Sequence, residues 1–188
     1  MKKIIIIGAG AMGAAFAVPC LENENDVTLI GTHLEDDLIN NIKSKNNFHP
    51  TLNLELPTKL KVEKHERLKT ILKGDIDIIV AGVSSVGIEW FVNQIANNYK
   101  KNLPIILLTK GLAIVEDELI TLSDKIKSLL NEQGHTEVNV SAIKGPCLAA
   151  GLANKMRTGT VIANPDIKET EKLKKIISTN YYSTEISD

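Results

Sequence analysis

Gly8, Gly10 and Gly13 are spaced to bind a pyrophosphate. They stand in Gly8-Ala9-Gly10-Ala11-Met12-Gly13, after an apolar run at residues 4–7 and before an alanine-rich segment. In a strand–turn–helix unit the first glycine permits the sharp turn. The second leaves no Cβ in the path of a phosphate, and the third lets the helix lie close to the strand. The helix N-terminus then offers free N–H groups and the positive end of its dipole. Another α/β protein could use the same glycines for a plain turn. Their place behind an N-terminal strand, in a unit that closes on a second apolar run at residues 27–30, favours dinucleotide binding.

The end of that second strand bears on which dinucleotide is taken. An NAD site usually carries Asp or Glu there, about 20 residues past the glycines, to hold the ribose 2′-hydroxyl. Here the strand runs into Gly31-Thr32-His33. Thr32 and His33 can donate hydrogen bonds to a 2′-phosphate that a carboxylate would repel, which tilts the reading toward NADP over NAD. Glu35, Asp36 and Asp37 follow closely and read as the acidic first turn of the next helix.

Three further turns hold residues with chemistry to offer. Gly82-Val83-Ser84-Ser85-Val86 follows an apolar run, and Ser84 or Ser85 either meets a ligand or caps a helix. Thr109-Lys110-Gly111 follows another. Lys110 there either aims its ammonium into a crevice or is a solvated turn lysine. Lys144-Gly145-Pro146-Cys147 follows a third, with Cys147 a candidate nucleophile or a small pocket-lining residue; no partner base is recognisable. His65 has no second ligand spaced with it, so it reads as a surface residue and no metal site is expected. Trp90 reads as a packing or interface residue.

The elements that must position these residues alternate between strand and helix. Strands are expected at 4–7, 27–30, 60–62, 75–81, 104–108, 138–143, 160–163 and 181–186. Helices are expected at 11–22, 34–45, 64–73, 87–99, 116–133 and 166–178, with a short one opening after Gly145-Pro146. Ile88, Phe91, Val92 and Ile95 should face inward. Pro19 conflicts with its helix, and Asn25 is a candidate for left-handed backbone in the turn after it. Residues 46–58, with Pro50 and Pro57, read as a long loop of the kind often used functionally. The sum is a Rossmann-type α/β fold: a doubly wound, mostly parallel sheet with helices on both faces and ligands at the strand ends. One domain is expected over residues 1–188.

Composition excludes several classes. The chain has 188 residues, 43% hydrophobic and 24% charged, with a net charge of −1. That gives no electrostatic case for nucleic acid or a membrane surface as partner. No apolar run approaches the roughly 20 residues of a membrane helix. Cys20 and Cys147 make no disulfide or metal framework, which fits a reducing, cytoplasmic compartment.

Four landmarks stand in order: GAGAMG near residue 8, GVSSVG near 82, LLTKGL near 107 and KGPCLAAGLA near 144. Together they resemble the N-terminal domain of NAD(P)-dependent glycerol-3-phosphate dehydrogenases, and FHPTLNLELP resembles that family's proline-containing loop. The resemblance covers nearly the whole chain. It implies interconversion of dihydroxyacetone phosphate and sn-glycerol 3-phosphate, a glycerophospholipid precursor, by hydride transfer at the substrate's C2. Carried over, Ala11 and Met12 touch the pyrophosphate, and Thr32 or His33 marks the adenosine end. Val83 and Ser84 lie along the cofactor, and Ala149 is a further cofactor contact. Lys110 is shared by cofactor and substrate and is the catalytic candidate; Gly145 and Cys147 fall on the substrate side.

The departures are Cys147 for a serine, Lys144 for a small residue and Arg157 for a proline. The family's main general acid/base and its phosphate-gripping residues lie in a C-terminal helical domain, which is expected beyond Asp188. The 188 residues are therefore expected to bind NAD(P) without turnover, with a homodimer one possibility for the full-length protein. Two other readings stay open: a ketopantoate-reductase-like enzyme, against which Thr109-Lys110-Gly111 and Gly145-Pro146-Cys147 argue, and a non-catalytic NAD(P)-binding domain.

Overall fold

The computed structural model describes residues 1–188. In chain order its elements are β1 (Lys3–Ile7), α1 (Ala11–Glu22), β2 (Asp26–Ile30), α2 (Asp36–Ser44), β3 (Phe48–His49), β4 (Leu54–Glu55), β5 (Lys61–Glu63), α3 (Leu68–Leu72), β6 (Ile78–Ala81) and α4 (Ile88–Ile95). They continue with β7 (Ile105–Leu107), β8 (Leu112–Val115), β9 (Glu118–Thr121), α5 (Leu122–Glu132), β10 (Val140–Lys144), α6 (Ala149–Ala153), β11 (Thr158–Ala163), α7 (Ile167–Ile177) and β12 (Tyr182–Ser187). No helix is long and apolar enough to cross a membrane.

Eight strands form one sheet in the order β12-β11-β10-β7-β6-β1-β2-β5. All pairings are parallel except β10 with β11. The central strands are apolar runs because both their faces are covered. Ile4, Ile6, Val80, Ile106 and Ile143 point into one core with Phe16 of α1 and Leu173 of α7. Ile5, Ile7, Ile79, Ile105 and Val140 point into the other with Phe91 of α4 and Ile126 of α5. The two-residue period of a strand thus divides one run, Ile4-Ile5-Ile6-Ile7, between two cores. The chain leaves β1 toward β2 on one side and returns to β6 on the other. The β1/β6 boundary is therefore the switch point of the sheet, and the carboxyl ends of the strands there are where open α/β sheets of this kind bind ligands.

Several expected elements fall differently. Residues 116–133 are not one helix: β8 and β9 form an antiparallel hairpin, with Glu116 and Asp117 at its tip at φ +49° and +66°. That pair of left-handed residues is the two-residue turn that matches strand twist. Helix α5 starts only at Leu122, capped by Thr121, whose hydroxyl accepts from the Asp124 N–H at 3.1 Å. Residues 46–58 contain the small β3–β4 hairpin. Helix α2 begins at Asp36, leaving Leu34 82% exposed. The helix expected at 64–73 is a 3₁₀ turn (His65–Arg67) followed by the short α3, and α4 ends at Ile95 before another 3₁₀ turn.

The left-handed residue after α1 is Glu24, at φ +57°, rather than Asn25. Asn25 is buried instead, its Oδ1 accepting from the Lys2 N–H and its Nδ2 donating to the Cys20 and Ile176 carbonyls. It thus ties α1 and α7 to the start of the sheet. Pro19 stays inside α1, where Gly13 through Cys20 are all buried, so packing outweighs the lost hydrogen bond. Ile88, Phe91, Val92 and Ile95 are buried as their spacing implies.

Candidate functional site

The three glycines of the β1–α1 turn have different reasons to be glycine. Gly8 takes φ +109°, and a Cβ there would stand 2.6 Å from the Gly82 carbonyl group. A Cβ on Gly13 would stand 2.1 Å from the Gly8 carbonyl oxygen. These two glycines let α1 and the β6 turn press against β1. Gly10 has no such constraint: its φ is −61°, and a Cβ would meet only Glu35 Oε1 at 3.7 Å, an ordinary contact. The space a side chain would fill at Gly10 is open to a ligand. No side chain caps the N-terminus of α1 and no acid stands in its first turn. The Ala11 and Met12 N–H groups, which have no partner within the helix, remain available to an anion. The turn fits a dinucleotide pyrophosphate on both counts.

At the second strand's end, Asp36 and Asp37 begin α2 as expected, but Glu35 turns back. Its Oε2 accepts from the Ala9 N–H at 2.9 Å and from the Thr32 N–H at 2.7 Å. It ties the glycine turn to the loop after β2. The acidic run concealed this because only one of its three carboxylates leaves the helix. Thr32 Oγ1 lies 3.4 Å from the Leu34 N–H. The exposed His33 ring lies 5.1 Å from that of Trp90, between ring centres, so Trp90 meets the loop after β2 while also packing on the core. His65 is half-buried rather than on the open surface, with Nδ1 3.1 Å from Asp36 Oδ1.

The turns after β6, β7 and β10 are laced together. Thr109 Oγ1 donates to the Val83 carbonyl at 2.7 Å, and Lys110 Nζ donates to the Gly145 carbonyl at 2.8 Å. Lys144 Nζ donates to the Thr109 carbonyl. Burial, and then the Lys110 charge, hold Lys144 below the usual lysine range. Ser84 precedes a 3₁₀ turn (Ser85–Gly87), but its hydroxyl makes no cap hydrogen bond and is exposed. Gly145 takes φ +151°, and a Cβ there would lie 3.0 Å from Thr160 Cα. Cys147 is buried in the core on the α1 side, 6% exposed, so its thiol packs rather than presenting a nucleophile. Ala149 opens α6 and packs against the same core. The turns that carry these residues stand at the carboxyl ends of β6, β7 and β10, three neighbouring parallel strands. A cavity of about 470 Å³, lined by Asn102, Asn164, Glu169 and Lys172 among others, lies at the opposite edge, away from the switch point.

One residue of the site lies where sequence reading saw only a loop. His49 is wholly buried, and its Nε2 stands 2.9 Å from the Ala9 carbonyl oxygen. The two prolines mark a loop in the sequence, and only the packed structure shows that its histidine reaches Ala9.

A family model described as "NAD-dependent glycerol-3-phosphate dehydrogenase N-terminus" matches residues 3–170. The chain is 30% identical over 184 residues to the NADP(+)-dependent glycerol-3-phosphate dehydrogenase of Archaeoglobus fulgidus, covering 98% of itself and 53% of that protein. It is 31% identical to the glycerol-3-phosphate dehydrogenase [NAD(P)+] of Mesoplasma florum, covering 96% and 52%. It thus spans about half the length of these relatives. Among solved structures, the glycerol-3-phosphate dehydrogenase of Coxiella burnetii superposes with a TM-score of 0.84 at 21% identity, covering all of this chain and 54% of that one. A ketopantoate reductase from Ralstonia eutropha superposes at 0.65 and 16% identity, over 99% and 56%, and so shares the fold.

Proposed function

This chain belongs to the NAD-dependent glycerol-3-phosphate dehydrogenase N-terminal family, and from that premise we propose that it is the NAD(P)-binding half of such an enzyme. The observation that carries the reading is Gly10, a glycine with ordinary backbone angles and room for a side chain, at the point where a pyrophosphate would approach an uncapped helix. Ala11 and Met12 would hold that pyrophosphate by their N–H groups, Thr32 and His33 the adenosine end, and Val83, Ser84 and Ala149 the length of the cofactor. The preference proposed is NADP over NAD. Thr32 and His33 offer donors, and the Glu35 carboxylate beside them has two N–H groups on Oε2.

The bound dinucleotide would exchange a hydride with the C2 carbon of dihydroxyacetone phosphate or sn-glycerol 3-phosphate. Lys110, already aimed at the Gly145 carbonyl, would orient the reacting oxygen by hydrogen bond. Gly145 and Cys147 would shape the turn that faces it, Gly145 through its backbone and Cys147 by packing beneath. The main acid/base group of the reaction would come from residues outside these 188, so the chain alone would bind cofactor without turnover. A reducing, cytoplasmic setting belongs to the same proposal and rests on the two free cysteines.

The test is a fluorescence titration of the 188-residue chain with NADPH and with NADH, followed by an assay with dihydroxyacetone phosphate. Saturable binding, tighter for NADPH, with no NADPH consumption is the expected result. No binding of either dinucleotide would refute the reading, and substantial turnover would refute the division of labour.

A further inference from the structure

His49 touches the phosphate turn from a direction that the glycine spacing does not announce. It lies in β3, within the 46–58 segment, and is fully buried. Leu52 and Leu56 of that segment are buried in the same core as Ala9 and Phe16, which seats the segment against the β1–α1 unit. The Leu52 N–H points at His49 Nδ1 from 3.3 Å, and His49 Nε2 lies 2.9 Å from the Ala9 carbonyl oxygen. An N–H needs an acceptor and a carbonyl needs a donor. These partners therefore place the ring's single proton on Nε2, with Nδ1 as acceptor.

Ala9 sits between Gly8 and Gly10, the two residues with the least steric restraint on backbone rotation in the turn. Its carbonyl is held by His49 and its N–H by Glu35, from two separate loops. We propose that His49 is a positioning residue for the dinucleotide phosphates: its Nε2–H fixes the Ala9 carbonyl and so aims the Ala11 and Met12 amides that follow. The inference rests on the reading of this turn as a pyrophosphate site. It assigns the 46–58 segment a role in cofactor binding, exerted through the turn's backbone and not by contact with the cofactor.

The experiment uses the 188-residue chain, with NADPH as probe, in wild-type, His49→Met and His49→Gln forms. Methionine fills much of the ring's volume without a donor, whereas the glutamine amide can donate to the Ala9 carbonyl. His49→Met is expected to weaken NADPH binding about tenfold, with His49→Gln recovering most of the loss. Melting temperatures are read in parallel. A fall in melting temperature with unchanged NADPH affinity in both variants would mark His49 as packing only and overturn the proposal. Histidine ¹⁵N spectra of the wild-type protein provide a check that needs no variant. A protonated Nε2 and bare Nδ1 on His49 are expected, and the opposite tautomer would also overturn it. If wild-type chain binds no NADPH while His49 shows the expected tautomer, it is the cofactor reading that fails.

Discussion

Glu35→Ala should loosen the cofactor turn by an amount that follows from its two hydrogen bonds. The carboxylate accepts from Ala9 N–H at 2.9 Å and Thr32 N–H at 2.7 Å, both in part-buried surroundings. Hydrogen bonds to a charged group contribute about 1.5–3 kcal/mol each when water is excluded. Water can reach part of this site and replace the lost acceptor, so about 1 kcal/mol for each bond is the better figure, or about 2 kcal/mol in all. In a domain of this length 1 kcal/mol corresponds to about 2–4 °C, so the variant should melt about 4–8 °C below wild type. Glu35→Gln keeps one acceptor oxygen without the charge and should lose about half as much. Because the lost bonds tie the turn to the loop after β2, NADPH binding should weaken in the same order, the lost tie outweighing the relief of a carboxylate whose charge its two N–H donors already offset. Differential scanning fluorimetry, with and without NADPH, reads both effects. An alanine variant melting within a degree of wild type, or a glutamine variant as unstable as the alanine one, would refute the reasoning.

Other residues give independent outcomes. Gly145→Ala places a Cβ 3.0 Å from Thr160 Cα at a φ of +151°. It should cost about 2 kcal/mol in urea denaturation, whether or not cofactor is present. Asp77 lies between the Lys2 ammonium at 2.9 Å and the Lys3 N–H at 2.8 Å. Burial alone would raise its carboxyl, but the Lys3 N–H and the Lys2 charge outweigh it and hold it below the usual carboxylate range. A depressed folded-state value means that its stabilisation is present above the ordinary aspartate range and is lost as pH falls through the folded value. Asp77→Asn should therefore flatten the acid limb of stability against pH below about pH 4 and leave the slope at neutral pH unchanged, as followed by denaturant midpoints.

The parts of the fold legible in the sequence were those whose pattern is local and strong. The run at residues 4–7 and its glycines, the buried strand before Gly82 and the inward face of α4 are each stated by a single period. The β8–β9 hairpin was hidden because Leu112, Ile114, Leu119 and Ile120 can be fitted to either period, and Glu116-Asp117 is an uncommon two-residue turn. Only backbone angles show that both residues are left-handed. The site divides in the same way. Gly8, Gly10, Gly13 and Lys110 follow strands and could be placed at one edge by topology alone. Glu35 and His49 act on Ala9 from 26 and 40 positions away, and their roles exist only once α2 and the β3–β4 hairpin have packed. Cys147 shows the converse: its residue type allowed either a nucleophile or a small pocket-lining residue, and only its burial in the core decides for packing.

Gly10→Ala tests the central claim most directly, because the methyl group meets nothing in the protein closer than Glu35 Oε1 at 3.7 Å. The measurement is the NADPH dissociation constant of this variant beside that of wild-type chain, with both melting temperatures. If the glycine serves a pyrophosphate, the variant melts within about 2 °C of wild type and binds NADPH at least about tenfold more weakly. An alanine variant that folds and binds NADPH as tightly as wild type would contradict the assignment of this turn as the cofactor site.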